Sequence, residues 1–168
     1  MLRRNVENGI PVAMRHLGDC YKKGDLGLVP SHKKAARLYQ RAADLGDVGA
    51  MSNLGGAHIK GNGVKLDKKK AAKYYRMAAD RGYANAQCNI GLCYCTGVGV
   101  PQDYAEAMRF CKLAAEQGYT TAENNLGVMY VRGVGVTRDI AEAVRWFERA
   151  AAKGHEYAKS ALAEIKAV

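Results

Sequence analysis

Apolar and polar positions recur along the chain with a helical period. At i, i+4 and i+8 the residues read Ala50, Leu54, His58, then Ala86, Ile90, Tyr94, then Ala122, Leu126, Tyr130. That spacing puts one stripe on one face of a helix, here termed A. A second pattern, B, follows each A at i, i+3, i+4, i+7, i+8. It reads Ala35, Leu38, Tyr39, Ala42, Ala43; Ala71, Tyr74, Tyr75, Ala78, Ala79; Ala107, Phe110, Cys111, Ala114, Ala115; and Ala143, Trp146, Phe147, Ala150, Ala151. Large side chains followed by paired alanines give one helix knobs and leave its neighbour room to approach.

The two patterns alternate at a fixed interval. Gly46, Gly82, Gly118 and Gly154 are 36 residues apart, as are Leu54, Ile90, Leu126 and Leu162, whereas the step from Leu17 to Leu54 is 37. The chain is therefore a tandem array. The units are residues 10–46, 47–82, 83–118 and 119–154, with one extra residue in the first loop. Residues 1–9 align with the last turn of a B helix, so the chain is expected to begin inside an earlier repeat. Residues 155–168 are expected to hold a C-terminal capping helix over 156–167, with Ala158, Leu162 and Ile165 facing inward. Asp67, Asp103 and Asp139, with Ser31 in the same slot, are predicted to cap the B helices at about 1 kcal/mol each.

Charge adds an asymmetry. The formal net charge is +10 among 168 residues. Residues 1–81 hold 17 Lys/Arg against 7 Asp/Glu, and the remainder holds 9 of each. The excess lies in the runs Lys33–Arg41 and Lys65–Arg76, read first as a solvated outer face, next as a site for an acidic protein, and last as a nucleic-acid surface. No stretch approaches the roughly 18 apolar residues of a membrane span. Five cysteines, odd in number and clustered, are not a secreted disulfide framework. A cytoplasmic or nuclear protein with reduced thiols is expected.

The repeat AENNLGVMYVRGVGVTRDIAEAVRWFERAAAKG, with its counterparts in the other units, resembles the Sel-one-like repeat (SLR), a relative of the tetratricopeptide repeat. The resemblance implies an all-α, right-handed α-solenoid of antiparallel helix pairs, about four and a half repeats long. It also implies a protein-binding adaptor or scaffold rather than an enzyme. The cysteine-rich bacterial members cross-link their helices at slots that here hold Met14, Met51, Gln87, Glu123 and the alanines 43, 79, 115 and 151, so that pattern is absent. His58 and Cys111 occupy aromatic slots, which should leave those interfaces less well filled.

Candidate chemistry is thin. The GxGV loops follow helices, lack a GK[ST] and recur in every unit, so they read as turns rather than phosphate cradles. Ser31 and Lys34 make an SxxK explained by capping. The four histidines have no ligand spacing, and Cys88 and Cys95 lie about 10.5 Å apart along a helix, too far to share a metal. No catalytic residue, metal or cofactor is expected.

A partner site is expected on the A helices, opposite the apolar stripe. There the end units are polar, but centrally Ile59, Cys88, Leu92, Cys95, Val128 and Val131 occupy those slots, accompanied by Asn124 and flanked by Lys60 and Arg132. An apolar patch with cationic flanks suits an apolar, acidic peptide segment in a concave groove. The alternative is a regulatory or substrate-recruiting module of a longer multidomain enzyme. The chain is expected to be a monomer or weak oligomer.

Overall fold

The computed structural model describes residues 1–167. Among them the fold is all-α: ten α-helices packed as sequential pairs, the architecture of the α-solenoid class. The chain divides into two compact units, residues 1–83 and 84 onward. The first contains α1 (Leu2–Glu7), α2 (Pro11–Lys23), α3 (His32–Asp44), α4 (Val48–Lys60) and α5 (Lys68–Ala79). The second contains α6 (Ala84–Thr96), α7 (Tyr104–Glu116), α8 (Thr120–Arg132), α9 (Ile140–Ala152) and α10 (Glu156–Lys166). No helix among the described residues is long and apolar enough to cross a membrane.

Helix starts follow the capping chemistry. Asp67, Asp103 and Asp139 accept from the backbone N–H three residues on at 2.9, 3.0 and 3.0 Å, and Ser31 does so at 3.3 Å. The bond to Lys70 N–H holds the Asp67 carboxyl below its ordinary range. Gly24, Gly61 and Gly133 end their A helices in the left-handed conformation.

Pairing of A with B rests on a ring driven against a glycine. A Cβ on Gly55 would lie 2.6 Å from the Tyr75 ring, and one on Gly127 would lie 2.5 Å from that of Phe147. Only a bare backbone admits the ring at that distance, so the glycine after the Leu slot is a packing requirement. The fully buried apolar centre comprises Met14, Met51 and Leu54 in the first unit and Ile90, Leu126, Phe110 and Phe147 in the second, set among alanines with no exposure. His58 does not leave its interface open. Its ring stacks on Tyr74 with centroids 5.8 Å apart and planes at 11°, and Nδ1 lies 3.1 Å from the Lys65 carbonyl, an acceptor that requires the proton on Nδ1.

A candidate binding pocket in the C-terminal unit

Adjacent A helices are tied by polar bonds as well as by packing. In the first unit Asp19 on α2 accepts from Asn53 Nδ2 on α4 at 3.1 Å and from the Tyr39 hydroxyl at 2.7 Å. Burial and that carboxylate push the Tyr39 hydroxyl well above its usual pKa. In the second unit Asn125 Nδ2 on α8 donates to Cys88 Sγ on α6 at 3.5 Å, and Asn85 Nδ2 donates to the Tyr119 hydroxyl at 2.7 Å. Asn53, Asn89 and Asn125 hold equivalent slots, and the next position in that series is Ala161 on α10.

At Ala161 the pattern opens. The side-chain oxygen of Asn124 on α8 is buried with no hydrogen-bond partner among the described residues. Beside this break lies a pocket of about 180 Å³ lined by Val128, Val131 and Arg132 of α8, Phe147 of α9, and Tyr157, Ala161, Glu164 and Ile165 of α10. Phe147 is buried, Val128, Val131 and Ile165 are half-buried, and Tyr157 is 57% exposed. The walls are thus mostly apolar, with one cation and one carboxylate among them. Arg132 and Glu164 form no ion pair with any described residue.

The nine residues expected at a partner site are separated by the structure. Val128, Val131 and Arg132 come together in the pocket. Leu92 is 54% exposed on α6 with Cys95 half-buried on the same helix, and neither lines the pocket. Ile59, half-buried, and Lys60, exposed, end α4 in the first unit. Cys88 and Asn124 are corrections: at 5% and 8% exposure they are buried and offer a partner no surface. Their slot lies two residues before the Leu slot, where the next A helix covers it, as the Asn125 bond to Cys88 shows. Tyr157, Ala161, Glu164, Ile165 and Phe147 were not anticipated at a site. The available signal was alanine in the asparagine series.

The remaining polar groups in this unit have structural roles. Glu123 is fully buried on α8, with Lys153 Nζ at 2.8 Å and an Arg149 nitrogen at 3.1 Å. Lys153 also donates to the Gly118 carbonyl at 2.8 Å. All five cysteines are free. Burial pushes the Cys88 thiol up to about 11 and Cys111 to about 12, and raises Cys93, so these thiols are protonated and unreactive near neutral pH. No group of three or more His, Cys, Asp or Glu among the described residues is placed to hold a metal.

The Sel1 repeat model matches residues 11–47, 48–83, 84–119 and 120–155. Among solved structures the chain is similar to a protective antigen of uropathogenic Escherichia coli displaying an SLR fold, with 38% identity and a TM-score of 0.90 over 98% of this chain. It is similar to a Sel1 repeat protein from Oxalobacter formigenes at 34% identity and TM-score 0.86 over 92% of this chain. An immunity protein from Pseudomonas aeruginosa matches at 26% identity and TM-score 0.64 over 94% of this chain. The chain spans 35%, 62% and 56% of those three proteins, respectively. A search of curated protein sequences finds no match.

Proposed function

The chain belongs to the Sel1 repeat family, and from that premise we propose that it is a non-catalytic protein-interaction module that seats an apolar side chain of a partner in the α8–α9–α10 pocket. The observation that carries this reading is the placement of Arg132, unpaired, on the wall formed by Val128, Val131, Phe147 and Ile165. A partner carboxylate reaching Arg132 while an aliphatic or aromatic side chain enters the pocket satisfies both features at once. The size supports a side chain over a cofactor, because small-molecule sites occupy roughly 300–1,000 Å³. The immunity protein among the similar structures gives the same fold a role consistent with binding.

A second reading is that the unit recruits substrates for a longer enzyme. It uses the same pocket. For either reading a reducing, cytoplasmic setting is part of the proposal, resting on an odd and clustered set of cysteines.

The test is selection from a random peptide display library on the intact chain, followed by calorimetry of the winning peptides. The expected consensus is one large apolar residue next to Asp or Glu. Val128→Asp should abolish binding with helical content retained, and Arg132→Glu should weaken it at least tenfold through charge reversal. A consensus without an acidic residue, or binding indifferent to both variants, would contradict the proposal.

A further inference from the structure

Six of the 17 Lys/Arg of residues 1–81, against the two acids Asp25 and Asp67, stand where the A-to-B loops meet the first turns of α3 and α5. The second loop adjoins the start of α3, directly after the first loop: a Cβ on Gly63 would collide with the His32 carbonyl. Lys33 and Lys34 open α3, and Lys68, Lys69 and Lys70 open α5 just after Lys65. All six are exposed, and none forms an ion pair with a described residue, although Lys34 lies 5.0 Å from the Tyr21 ring centroid. Neither helix has an acid in its first turn. Cations there oppose the helix dipole. The second unit avoids this conflict in the slot of Lys34 and Lys70, where Glu106 and Glu142 are hydrogen-bonded to Arg109 and Arg145.

The same edge breaks a second local rule. Leu66 occupies the slot of Gln102 and Arg138, whose side chains donate to the carbonyls of Cys95 at 2.9 Å and Val131 at 3.1 Å. Leu66 offers no donor and is 54% exposed. In the adjoining loop Val29 is 80% exposed and Leu26 75%, the latter held at φ 56°, a conformation that disfavours a residue with a side chain. Aliphatic side chains in water and lysines at helix starts each work against the isolated fold. Their coincidence on one edge is explained by a partner that takes both.

We propose that this edge docks on an anionic lipid bilayer. Leu26, Val29 and Leu66 enter the boundary between headgroups and acyl chains, and the surrounding lysines meet the lipid anions. Protruding aliphatic tips insert rather than receive, which favours a bilayer over a peptide ligand. Against a nucleic acid the tips gain nothing, and the edge has no exposed aromatic ring for base stacking.

Flotation of the intact chain with phosphatidylcholine vesicles, alone or with about a third phosphatidylserine, tests this. Binding is expected to the anionic vesicles only. The triple variant Leu26→Ser, Val29→Ser, Leu66→Gln should lose at least tenfold in partition. Independently, Lys33→Gln with Lys69→Gln should lose roughly fivefold per lysine. Circular dichroism checks that each variant retains its helices, and the lysine pair supports the test if the triple variant does not fold. The proposal is overturned if the wild type ignores anionic vesicles, or if the folded triple variant binds them as the wild type does. It is also overturned if polyglutamate or duplex DNA displaces the vesicles from both proteins equally, since charge alone would then explain the binding.

Discussion

At the scale of single residues, the unpartnered Asn124 oxygen and the alanine at 161 are two views of one substitution. The slot that supplies an amide donor from Asn53 and Asn125 supplies a methyl group at Ala161. Ala161→Asn is therefore expected to give Asn124 a donor and to stabilise the chain by about 0.5–1.5 kcal/mol. It should also narrow the pocket and weaken peptide binding. Urea denaturation and calorimetry on the same variant check both effects, and weaker binding without added stability would mean that the new amide misses Asn124. The glycine slots make a graded prediction. Gly127→Ala forces a methyl against the Phe147 ring and should cost roughly 1–3 kcal/mol despite the better helix propensity of alanine. At Gly91 the nearest atom is Cys111 Sγ at 3.0 Å, so Gly91→Ala should cost less.

At the scale of helices, burial sets the chemistry of the second unit. Cys111 stands in the slot of Tyr39, Tyr75 and Phe147, and with Cys88 it belongs to one apolar cluster that includes Met108, Leu126 and Met129. Their thiols ionise at about 12 and about 11 in the fold, against an ordinary 9.0. The unfolded chain thus releases these protons first. Stability should be insensitive to these thiols below pH 9 and fall from about pH 9 to pH 12, by up to about 1.4 kcal/mol per pH unit for each thiol. Cys111→Ala should flatten that alkaline limb, as pH-dependent urea melts would show. The Glu123 triad makes the opposite contrast. Replacing Arg149 and Lys153 together by alanine leaves a buried carboxylate unpaired and should cost roughly 3–5 kcal/mol. Glu123→Met, which introduces the residue found at Met51, leaves only partly exposed cations and should cost far less. Similar losses for both would contradict this account of the pair.

Much of this element scale is written in the 36-residue interval. It marks the helices, the aspartate caps and the paired alanines, because each depends on neighbours a few residues away. The partner face was less legible. A single helix wheel places Cys88 and Asn124 on the open side, but it omits the next A helix, which covers them. Leu92 does remain exposed, as the wheel requires. The pocket itself depends on Tyr157 and Ile165 of α10 lining one cavity with Val128 of α8, an arrangement that no spacing within one repeat encodes.

At the scale of the whole chain, the two units divide their roles by charge and by surface. The first holds the excess cations and exposed aliphatic tips; the second pairs Glu106 with Arg109, Glu142 with Arg145 and Glu156 with Lys159, and opens a pocket near its last helix. The pocket is the centre of the functional account. An amide-resolved NMR titration of the intact chain with a selected apolar–acidic peptide tests it most directly. The account predicts saturable shifts clustered at Val128, Val131, Arg132, Tyr157, Ala161 and Ile165, absent in the Val128→Asp variant. Shifts confined instead to the exposed face around Leu92, or to the basic helices of the first unit, would contradict it.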